Sequence, residues 1–401
     1  MTSGAGVRVY SYFDTTGYGL AGLSYVRGLV NAGVPVHWVP LVPNGRHWAP
    51  LGTTQAQPLM LEHARGDLAL ADLQALVAAT SRPVDATTAL VHTIPEQWPE
   101  YFQHGMRNVG YTTWEASAIP PHWKPLLDLA DAVCVPSEFN RIAFASEPIR
   151  PRVHVVPHIR RHAWNEFEPT ELQGLRAGLG IGAGDFVFYS ISRWETRKNH
   201  ELLLRGYLQA FQDGEPVALI LKTSPHGNGA PPWYAPQPST QIAESVIAET
   251  AKQLRSSPAK VCLLPYDMAG RGVDMLHALG DCYVSVSRGE GWAMGAFDAA
   301  TRATPVLMPR WGGPLDYLGT DWPGAIDGHP VAAPVWPPHE PSYWPSQRWF
   351  EPDLDATVRA LRQAWEDPTP GRQAAVHHAD EIAQRFSEPV VTAQLLAAIH
   401  G

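Results

Sequence analysis

The stretch Ser287-Arg288-Gly289-Glu290-Gly291-Trp292-Ala293-Met294-Gly295-Ala296-Phe297-Asp298 decides the fold. It follows an apolar run at 282–286 that predicts a buried strand, and it leads into an alanine-rich predicted helix. Open α/β sheets bind ligands beyond the carboxyl ends of their strands, where helix N-termini attract anions. Two carboxylates, Glu290 and Asp298, therefore surround a turn that can offer backbone N–H groups to a phosphate. The arrangement suits a ligand that carries both phosphate and hydroxyl groups, such as a nucleotide-sugar.

Short apolar runs alternate with helical periods on both sides of this stretch, which indicates parallel α/β layers. The first series of predicted strands is 8–12, 34–39, 88–93, 107–112, 132–136 and 153–156. The second series is 186–191, 217–221, 260–264, 282–286 and 305–308. The predicted helices are 20–31, 67–80, 120–129, 138–146, 200–212, 241–254, 273–279, 294–302, 354–365 and 374–400.

The length of 401 residues predicts two domains rather than one core. A stretch at 149–164 that is rich in Pro, Arg and His separates the two strand series and is interpreted as a hinge. The Pro- and Trp-rich segments 231–238 and 333–345 are interpreted as loops over a site. Two α/β sheets joined by a hinge are expected to leave a cleft between two sets of strand ends.

Composition narrows the class of protein. Hydrophobic content of 45% and charged content of 17% are typical of globular proteins. The net charge is −9, and all of the acidic excess lies after residue 164, whereas a nucleic-acid-binding protein usually shows a basic excess. The N-terminus lacks a basic segment followed by an apolar one, which argues against a secretion signal. Prolines interrupt the longest stretch without charged residues, so this stretch is not expected to span a membrane. The three cysteines lie in strand-like runs and are expected to be reduced, so a cytoplasmic location is expected.

Arg193 and Lys198 form an R-x4-K pair directly after the predicted strand 186–191. At the carboxyl end of a strand, the guanidinium can bind a diphosphate in a bidentate way, and the ammonium acts as a point charge. A solvated basic loop explains the pair equally well when it is considered alone.

Gly17, Gly19 and Gly22 form a G-x-G-x-x-G motif after the first predicted strand. A dinucleotide-binding motif also requires an acidic residue at the end of the second strand to hold a ribose. The run at 34–40 contains no acidic residue, so NAD binding is not expected. A glycine loop that admits a phosphate or a sugar fits the pattern.

Three further candidates follow strands of the first series. His92 ends the run TALVH, where it can hydrogen-bond a sugar hydroxyl, handle a proton or cap the loop. Trp114 and Glu115 follow the next strand, and Glu115 either orients an acceptor or is a solvated loop acid. His158 and His162 have a spacing that binds metals on helices, but Pro157 argues against a helix and no third ligand is evident, so no metal site is expected.

Taken together, these residues resemble the large family of retaining glycosyltransferases with the GT-B fold, called group 1 or family 4. Its signature has a glycine-rich first loop, an R-x4-K pair and an E-x7-E motif. Here they are Thr16-Gly17-Tyr18-Gly19, the pair Arg193 and Lys198, and Glu290-x7-Asp298. The runs PSEFN at 136–140, VVPH at 155–158 and WGG at 311–313 also match, in the order of the family.

The resemblance implies an α/β protein of two Rossmann-like domains that face each other across a cleft. The expected boundaries are an acceptor-side domain at 1–160, a nucleotide-sugar donor domain at 161–380, and a C-terminal helix at 381–401 that returns to the N-terminal domain. The chain is expected to transfer a sugar from a nucleoside-diphosphate-sugar to an acceptor hydroxyl with retention of configuration, in glycan biosynthesis.

Roles follow from the resemblance residue by residue. Arg193 and Lys198 would neutralise the diphosphate, and Glu290 would bind hydroxyls of the donor sugar. Asp298 would hold the ribose, while the backbone at Ala293, Met294 and Gly295 would meet the sugar or phosphate. The remaining implied roles are a sugar contact for His92, closure on the diphosphate for Gly17 and Gly19, and acceptor-side positions for Trp114 and Glu115.

The chain departs from the family pattern at a few positions. The second Glu of E-x7-E is Asp298, and the Gly and Pro of the family's G-L-P are Ala293 and Gly295. After the PH of the hinge, Ile159 and Arg160 stand where the family often has Gly and Asp. None of these changes removes a charge that the chemistry requires.

The mechanism that the resemblance implies uses no protein nucleophile, no metal and no other cofactor. The expected partners are the donor and a glycan, protein or small-molecule acceptor, without nucleic acid. Two alternatives stay open: a nucleotide-sugar epimerase or hydrolase on the same fold, and a non-catalytic GT-B partner subunit. These motifs do not identify the acceptor, and they do not identify the base or the sugar of the donor. Peripheral contact with a membrane is also compatible with them.

Overall fold

Two mostly parallel sheets, one in each of two units, organise the chain. The computed structural model describes residues 6–44, 47–51, 60, 68–227, 237–334 and 342–401. Unit 1 comprises Met1–Asn165, Ala269–Arg271 and Ala383–Gly401, and unit 2 comprises Glu166–Met268 and Gly272–Ile382.

The sheet of unit 1 has seven strands within the described residues. They are β1 (Gly6–Tyr12), β2 (Val36–Asn44), β3 (His47–Pro50), β4 (Ala86–His92), β5 (Arg107–Tyr111), β6 (Ala132–Val135) and β7 (Arg152–Val155). Their spatial order is β3-β2-β1-β4-β5-β6-β7. All neighbours pair in parallel except β3, which is antiparallel to β2.

Unit 2 contains a parallel sheet and two small antiparallel pairs in its described part. The strands are β8 (Phe186–Ile191), β9 (Val217–Thr223), β10 (His226–Gly227), β11 (Gln237–Pro238), β12 (Lys260–Pro265), β13 (Cys282–Val284), β14 (Val306–Pro309), β15 (Ala325–Ile326), β16 (Gly328–Ala332) and β17 (Arg348–Pro352). The parallel sheet has the order β12-β9-β8-β13-β14-β15, while β10 pairs with β11 and β16 with β17.

Helices connect the strands in both units, as parallel pairing requires. They are α1 (Gly17–Asn31), α2 (Leu70–Thr80), α3 (Trp98–Tyr101), α4 (Trp123–Leu127), α5 (Glu138–Phe144), α6 (Pro169–Gly178), α7 (His200–Ala210), α8 (Ser239–Leu254), α9 (Gly270–Leu279), α10 (Met294–Thr301), α11 (Leu315–Leu318), α12 (Leu354–Glu366), α13 (Thr369–Arg385) and α14 (Glu388–His400). Short 3₁₀ turns lie at Pro95–Gln97 and Thr196–Lys198. Within the described part of the chain, no helix is both long and apolar enough to cross a membrane.

Each sheet has one point at which the strand order reverses. In unit 1 the chain leaves β1 toward β2 and later returns to β4 on the other side of β1. In unit 2 it leaves β8 toward β9 and later returns to β13 on the other side of β8. Loops diverge at such a switch point, so the carboxyl ends of these central strands form the natural ligand crevice of a doubly wound sheet.

Apolar periodicity fixes the helices on the sheet of unit 2. Helix α7 buries Leu203, Leu204, Tyr207 and Leu208, which recur at the spacing of one helix face. They join a core cluster with buried residues of β8, β9 and β13. Each fully buried side chain of this size contributes roughly 1.5–3 kcal/mol, so the sheet and its helix layer hold the loops at the strand ends in place.

One prediction of secondary structure was wrong, and several elements were not predicted. The predicted single helix at 374–400 is divided into α13 and α14, because Pro389 occupies the first turn of α14 and lacks the N–H that a continuous helix needs. Between them Phe386 is buried and Ser387 is extended. The helices α3, α6 and α11 and the strands β3, β10, β11, β15, β16 and β17 were not predicted. The predicted loops over a site fall partly, at 231–236 and 335–341, outside the described residues.

Candidate functional site

Two loops of unit 2 leave the sheet side by side at its switch point. One follows β8 and runs from Ser192 to Asn199, and the other follows β13 and contains Glu290. The backbone N–H of Arg288 donates to the carbonyl of Arg197 at 2.7 Å, and the Ser287 hydroxyl donates to the same carbonyl at 3.2 Å. These bonds join the R-x4-K loop to the E-x7-E loop, so the cations and the first carboxylate of the predicted site lie together.

Glu290 lies buried between two cations. Its Oε1 is 2.6 Å from Nζ of Lys198, and its Oε2 is 3.3 Å from Nη1 of Arg197. Burial alone would raise the pKa of the Glu290 carboxyl, but Lys198 and Arg197 outweigh burial and hold the pKa below its ordinary value. The carboxylate is therefore ionised at neutral pH, although it is only 7% exposed.

Arg193 differs from the other two cations because it is exposed. Its backbone carbonyl accepts a hydrogen bond from Nε2 of His200 at 3.0 Å, which fixes the start of the loop. Among the described residues, no carboxylate forms an ion pair with its guanidinium. Lys222 is the next-to-last residue of the neighbouring strand β9, and burial lowers its pKa, aided by the charge of Arg193 and opposed by that of Asp267. The two cations are therefore close enough for their charges to influence each other.

The N-terminus of α10 directly follows the E-x7-E loop. No side chain caps this helix end, and its N-cap Ala293 has φ +66, in the left-handed region. The carbonyls of Trp292 and Ala293 accept hydrogen bonds from the Tyr317 hydroxyl at 3.0 and 3.3 Å. The first N–H groups of a helix have no intrahelical partners, so this end can bind an anion.

Asp298 lies in the second turn of α10 and is 6% exposed. It shares two neighbours with Glu290, since burial and then the charges of both carboxylates raise the pKa of Tyr283 and of Tyr317 above the ordinary value. The charges of both acids of the motif therefore act on the same two tyrosines. Gly295 is confined there as well, because a Cβ at this position would lie 2.6 Å from the Tyr283 hydroxyl.

The WGG run supports the backbone of the E-x7-E loop. Gly313 donates its N–H to the carbonyl of Glu290 at 2.8 Å. A Cβ on Gly312 would lie 2.7 Å from the same carbonyl, and one on Gly313 would overlap the carbonyl of Gly291. Only glycines allow the two segments to approach so closely.

Glu351 of β17 connects the two loops from the other side. Its carboxylate accepts from Nη2 of Arg288 at 3.0 Å and from Nδ2 of Asn199 at 3.2 Å. Asn199 itself has φ +57, a conformation that Asn tolerates better than most residues. Glu351 therefore fixes the ends of both loops without lying in either of them.

The glycines of the first loop have a packing role in unit 1. Helix α1 begins at Gly17, and a Cβ on Gly19 would overlap the backbone carbonyl of Asp14. The Asp14 carboxylate caps the turn by accepting from the Thr16 N–H at 3.0 Å. A Cβ on Gly22 would lie 2.9 Å from Nδ1 of His92, so the motif allows α1 to approach both β1 and β4.

His92 ends β4 at the switch point of unit 1 and is 2% exposed. Aromatic rings surround it, with centroids 4.6 Å away for Tyr111, 5.6 Å for Tyr25 and 5.4 Å for Tyr18. Burial, and then the nearby His158, lowers its pKa well below the ordinary value, so the ring is neutral. Its Nδ1 is buried and has no hydrogen-bond partner among the residues that the structure describes.

The two acceptor-side candidates differ in exposure. The indole of Trp114 is buried, donates to the carbonyl of Ala118 at 2.6 Å and packs edge-on against Trp123. Glu115 is half-buried, and its charge contributes to the raised pKa of Tyr18. Trp114 is thus placed to hold the loop, whereas Glu115 is nearer to the surface.

The structure brings together the candidates of each unit. In unit 2 they are Arg193, Lys198, Glu290, Ala293, Met294, Gly295 and Asp298, and in unit 1 they are Gly17, Gly19 and His92. Two residues of the unit 2 site were not among the predicted ones: Arg197, which the R-x4-K spacing passes over, and Lys222. Among the described residues, no group of three or more His, Cys, Asp or Glu side chains is arranged to hold a metal ion.

Solved structures of other proteins share this architecture at low sequence identity. The Anabaena protein HepE, in complex with UDP and glucose, is 14% identical over 99% of this chain and 100% of its own, with a TM-score of 0.62. Sucrose-phosphate synthase from Thermosynechococcus elongatus is 13% identical over 98% of both chains, with a TM-score of 0.63. A glycosyltransferase from Rickettsia africae is 11% identical over 98% of this chain and 97% of its own, with a TM-score of 0.64.

Neither a protein-family model nor a curated protein matches the sequence. At these identities the structural matches show the fold alone. The prediction of two Rossmann-like sheets is confirmed, and the chain has the GT-B fold.

Proposed function

We propose that this chain is a glycosyltransferase that moves a sugar from a nucleoside-diphosphate-sugar to an acceptor hydroxyl with retention of configuration. One observation carries the proposal: an ionised, buried Glu290 lies between Lys198 and Arg197, beside an uncapped helix N-terminus, at the switch point of unit 2. Such a site offers hydrogen-bond donors for phosphate oxygens and a hydrogen-bond acceptor for sugar hydroxyls within one crevice.

Binding of the diphosphate would rest on three cations and the N-terminus of α10. Arg193 is exposed and forms no ion pair with a described carboxylate, and Lys222, near the end of β9, is within range of its charge. Lys198 adds a third positive charge on the adjacent loop. Preorganised positive charge at the place where the leaving group gains charge is the largest single source of catalysis in many enzymes.

The two carboxylates would bind the hydroxyl groups of the donor. Glu290 remains ionised and so can accept hydrogen bonds from the transferred sugar. Asp298 would accept hydrogen bonds from the ribose hydroxyls, and the backbone N–H groups at the start of α10 would face the phosphate or the sugar. In this proposal the tyrosines around both acids keep their protons, because burial raises their pKa.

The proposed chemistry uses no protein nucleophile. The bond between the anomeric carbon and the diphosphate oxygen breaks, and the acceptor hydroxyl attacks on the face that the diphosphate leaves. A phosphate oxygen takes the proton of that hydroxyl, so the products are a glycoside and a nucleoside diphosphate. The cations and the helix N-terminus supply the positive field for this step, and the proposal includes no metal.

For unit 1, the proposal keeps His92, Gly17 and Gly19 as donor contacts and Glu115 as an acceptor-side residue. A neutral His92 can donate one hydrogen bond to a sugar hydroxyl without adding charge. UDP-glucose is the first donor to test, since the structures of HepE include complexes with UDP and with UDP-glucose.

The test is release of nucleoside diphosphate from a panel of nucleotide-sugars, with and without acceptor sugars. Arg193→Ala and Lys198→Ala should each lower the transfer rate at least about a hundredfold, by analogy with loss of one charge-stabilising donor. Arg205→Ala is the matched control, because Arg205 is an exposed cation of the same unit and pairs weakly with Glu201 at 3.7 Å. Near-normal turnover in both site variants would exclude the assignment.

The same assay separates the alternatives. A hydrolase would release the diphosphate and free sugar at the same rate without an acceptor, and an epimerase would change the sugar while the nucleotide-sugar stays intact. A non-catalytic partner subunit would show no turnover with any donor. Retention is read from the anomeric configuration of the product by NMR.

A further inference from the structure

Two cations hold Glu290, and they are attached to the protein in different ways. Arg197 is fixed through several bonds: its Nη1 donates to the carbonyl of Gly289 at 2.6 Å, and its Nη2 lies 3.3 Å from Glu195. Its own carbonyl accepts from the Arg288 N–H at 2.7 Å. The guanidinium is 11% exposed and therefore has little freedom to move.

Lys198 has much weaker attachment. Within the described residues, its ammonium has one partner, Oε1 of Glu290 at 2.6 Å. Lysine also has a flexible stem and a charge that can turn toward a new anion, whereas the planar guanidinium of arginine is suited to fixed, directional pairing. The chain has placed the fixed cation and the movable one on consecutive residues of one 3₁₀ turn.

We propose that Arg197 is the permanent counter-ion of Glu290, which frees Lys198 to leave that carboxylate for the diphosphate of the donor. The inference rests on the proposed function, since it requires a phosphate-bearing ligand. It makes Arg197 a positioning residue: it acts through Glu290 and Lys198 and touches no reacting atom.

The charge balance explains why both cations are needed. A buried carboxylate that loses its last counter-ion is strongly destabilised, so it would keep Lys198 if Arg197 were absent. With Arg197 in place, Glu290 stays ionised when Lys198 turns to the phosphate. Among the described residues, the Ser287 hydroxyl and the protonated phenols of Tyr283 and Tyr317 also interact with Glu290, and none of these carries a positive charge.

The proposal predicts two effects of Arg197→Met. Affinity for nucleoside diphosphate alone should fall about tenfold, because Lys198 then stays with Glu290. The acidic limb of the profile of kcat/KM against pH should move up by about one pH unit, because Glu290 has one counter-ion fewer and protonates more readily. Arg197→Lys should restore most of both properties, since it restores the charge.

Arg205→Met is the matched control for removal of an arginine charge from the same unit. Lys198→Met shows how far the affinity for nucleoside diphosphate falls when the Lys198 charge is absent. Affinity is measured by calorimetry with UDP, GDP and ADP, and the pKa of Glu290 by carbon NMR of the labelled carboxyl group in the ligand-free protein. Circular dichroism checks that the variants fold, and Arg197→Gln replaces Arg197→Met if the latter does not.

The outcomes are distinguishable. If the wild-type protein binds no nucleoside diphosphate, the proposed function fails. If the wild type binds and Arg197→Met matches it in affinity and in the acidic limb, this inference alone is overturned. A loss that Arg197→Lys does not restore would also overturn it, because it would indicate packing rather than charge.

Discussion

Ala293 adopts a backbone conformation that is rare for a residue with a Cβ. Its φ of +66 lies at the junction of the E-x7-E loop and α10. The left-handed region costs a non-glycine residue roughly 1–2 kcal/mol. The chain keeps this strained residue at the point where the helix N–H groups turn toward the proposed ligand, and such strain is typical of functional loops.

Ala293→Gly should therefore raise the free energy of unfolding by about 1 kcal/mol, because glycine adopts this φ without steric cost. The measurement is urea-induced unfolding followed by circular dichroism. Ala248→Gly is the control, since Ala248 is exposed in the middle of α8 and the same change there should cost about 1 kcal/mol. If both substitutions changed the free energy of unfolding in the same direction, the interpretation would be contradicted.

Gly295 and Tyr283 allow a second test at this scale. A Cβ at position 295 would lie 2.6 Å from the Tyr283 hydroxyl and 3.1 Å from the carbonyl of Ile191. Gly295→Ala should cost about 1–3 kcal/mol through overpacking. In Tyr283→Phe, which lacks the hydroxyl, the same substitution should cost less. Additive effects in this double-mutant cycle would show that the crowding lies elsewhere.

The sequence predicted which charged residues belong to the site better than it predicted which residues form ion pairs with them. The spacing of Arg193, Lys198, Glu290 and Asp298 is local, so motifs reveal it. The pairing of Glu290 with Arg197 depends on how two loops 92 residues apart meet at the switch point, which no local pattern contains. Lys222 was overlooked for a related reason: lysine is depleted in strands, and β9 extends past it because the neighbouring strands support its end.

At the scale of elements, the packing of α1 on β1 depends on its glycines. Gly19→Ala should lower the free energy of unfolding by more than about 2 kcal/mol, because its Cβ would overlap the backbone of Asp14, which cannot rotate away. Gly174→Ala in α6 is the matched control: nothing lies within 4 Å of its Cβ, so the change should stabilise by up to about 1 kcal/mol. Thermal and urea unfolding of both variants give the comparison.

Helix α14 is attached to α1 by Glu388. Its carboxylate is 2.7 Å from Nε of Arg27 and accepts from Nδ2 of Asn31 at 2.6 Å. Glu388→Ala should cost about 1–3 kcal/mol, since it leaves a largely buried guanidinium short of a partner. Glu381→Ala is the control and should change stability by less than about 0.5 kcal/mol, because the Glu381 side chain is largely exposed and forms a surface pair with His377 at 3.5 Å.

Helices and strands with a strong periodicity of apolar residues could be predicted from the sequence, and the others could not. The apolar runs of β8 and β13 and the face of α7 carry a signal of their own. The two-residue strands β10, β11 and β15 form only because a neighbour offers hydrogen bonds, so a sequence window contains no sign of them. The division between α13 and α14 was missed although Pro389 marks it, because the apolar period continues on both sides.

At the scale of the whole molecule, buried histidines link stability to pH. Burial lowers the pKa of His158 in unit 1 to about 3 and that of His200 in unit 2 to about 4, from an ordinary value of 6.5. A proton therefore binds the unfolded chain in preference to the folded one as the pH falls from 6.5 toward 4. Stability is complete above pH 6.5 and is lost as the pH falls through this window.

Between pH 7 and pH 5, each of these histidines should remove about 2 kcal/mol from the free energy of unfolding. His158→Gln should reduce the difference between the two pH values by about that amount, whatever it does to the stability at pH 7. The exposed His104 serves as the control through His104→Gln. Urea unfolding at both pH values tests this, and an unchanged difference in His158→Gln would contradict it.

The fold as a whole was predictable because it depends on pattern rather than identity. The solved structures named above keep the same architecture at 11–14% identity. What they share is the alternation of buried strands with helices, which the sequence displays directly.

The bond between Arg27 and Glu388 joins residues that are 361 positions apart. A ribosome that adds about 5–20 residues per second needs roughly 20–70 s to make the chain between them. During that time helix α1 has been synthesised, while the segment that covers it has not. Unit 2 lies between the two in the chain, so its sheet can be completed before α14 covers α1. Helix α1, one of the first elements to be made, is therefore among the last to acquire its full set of packing partners.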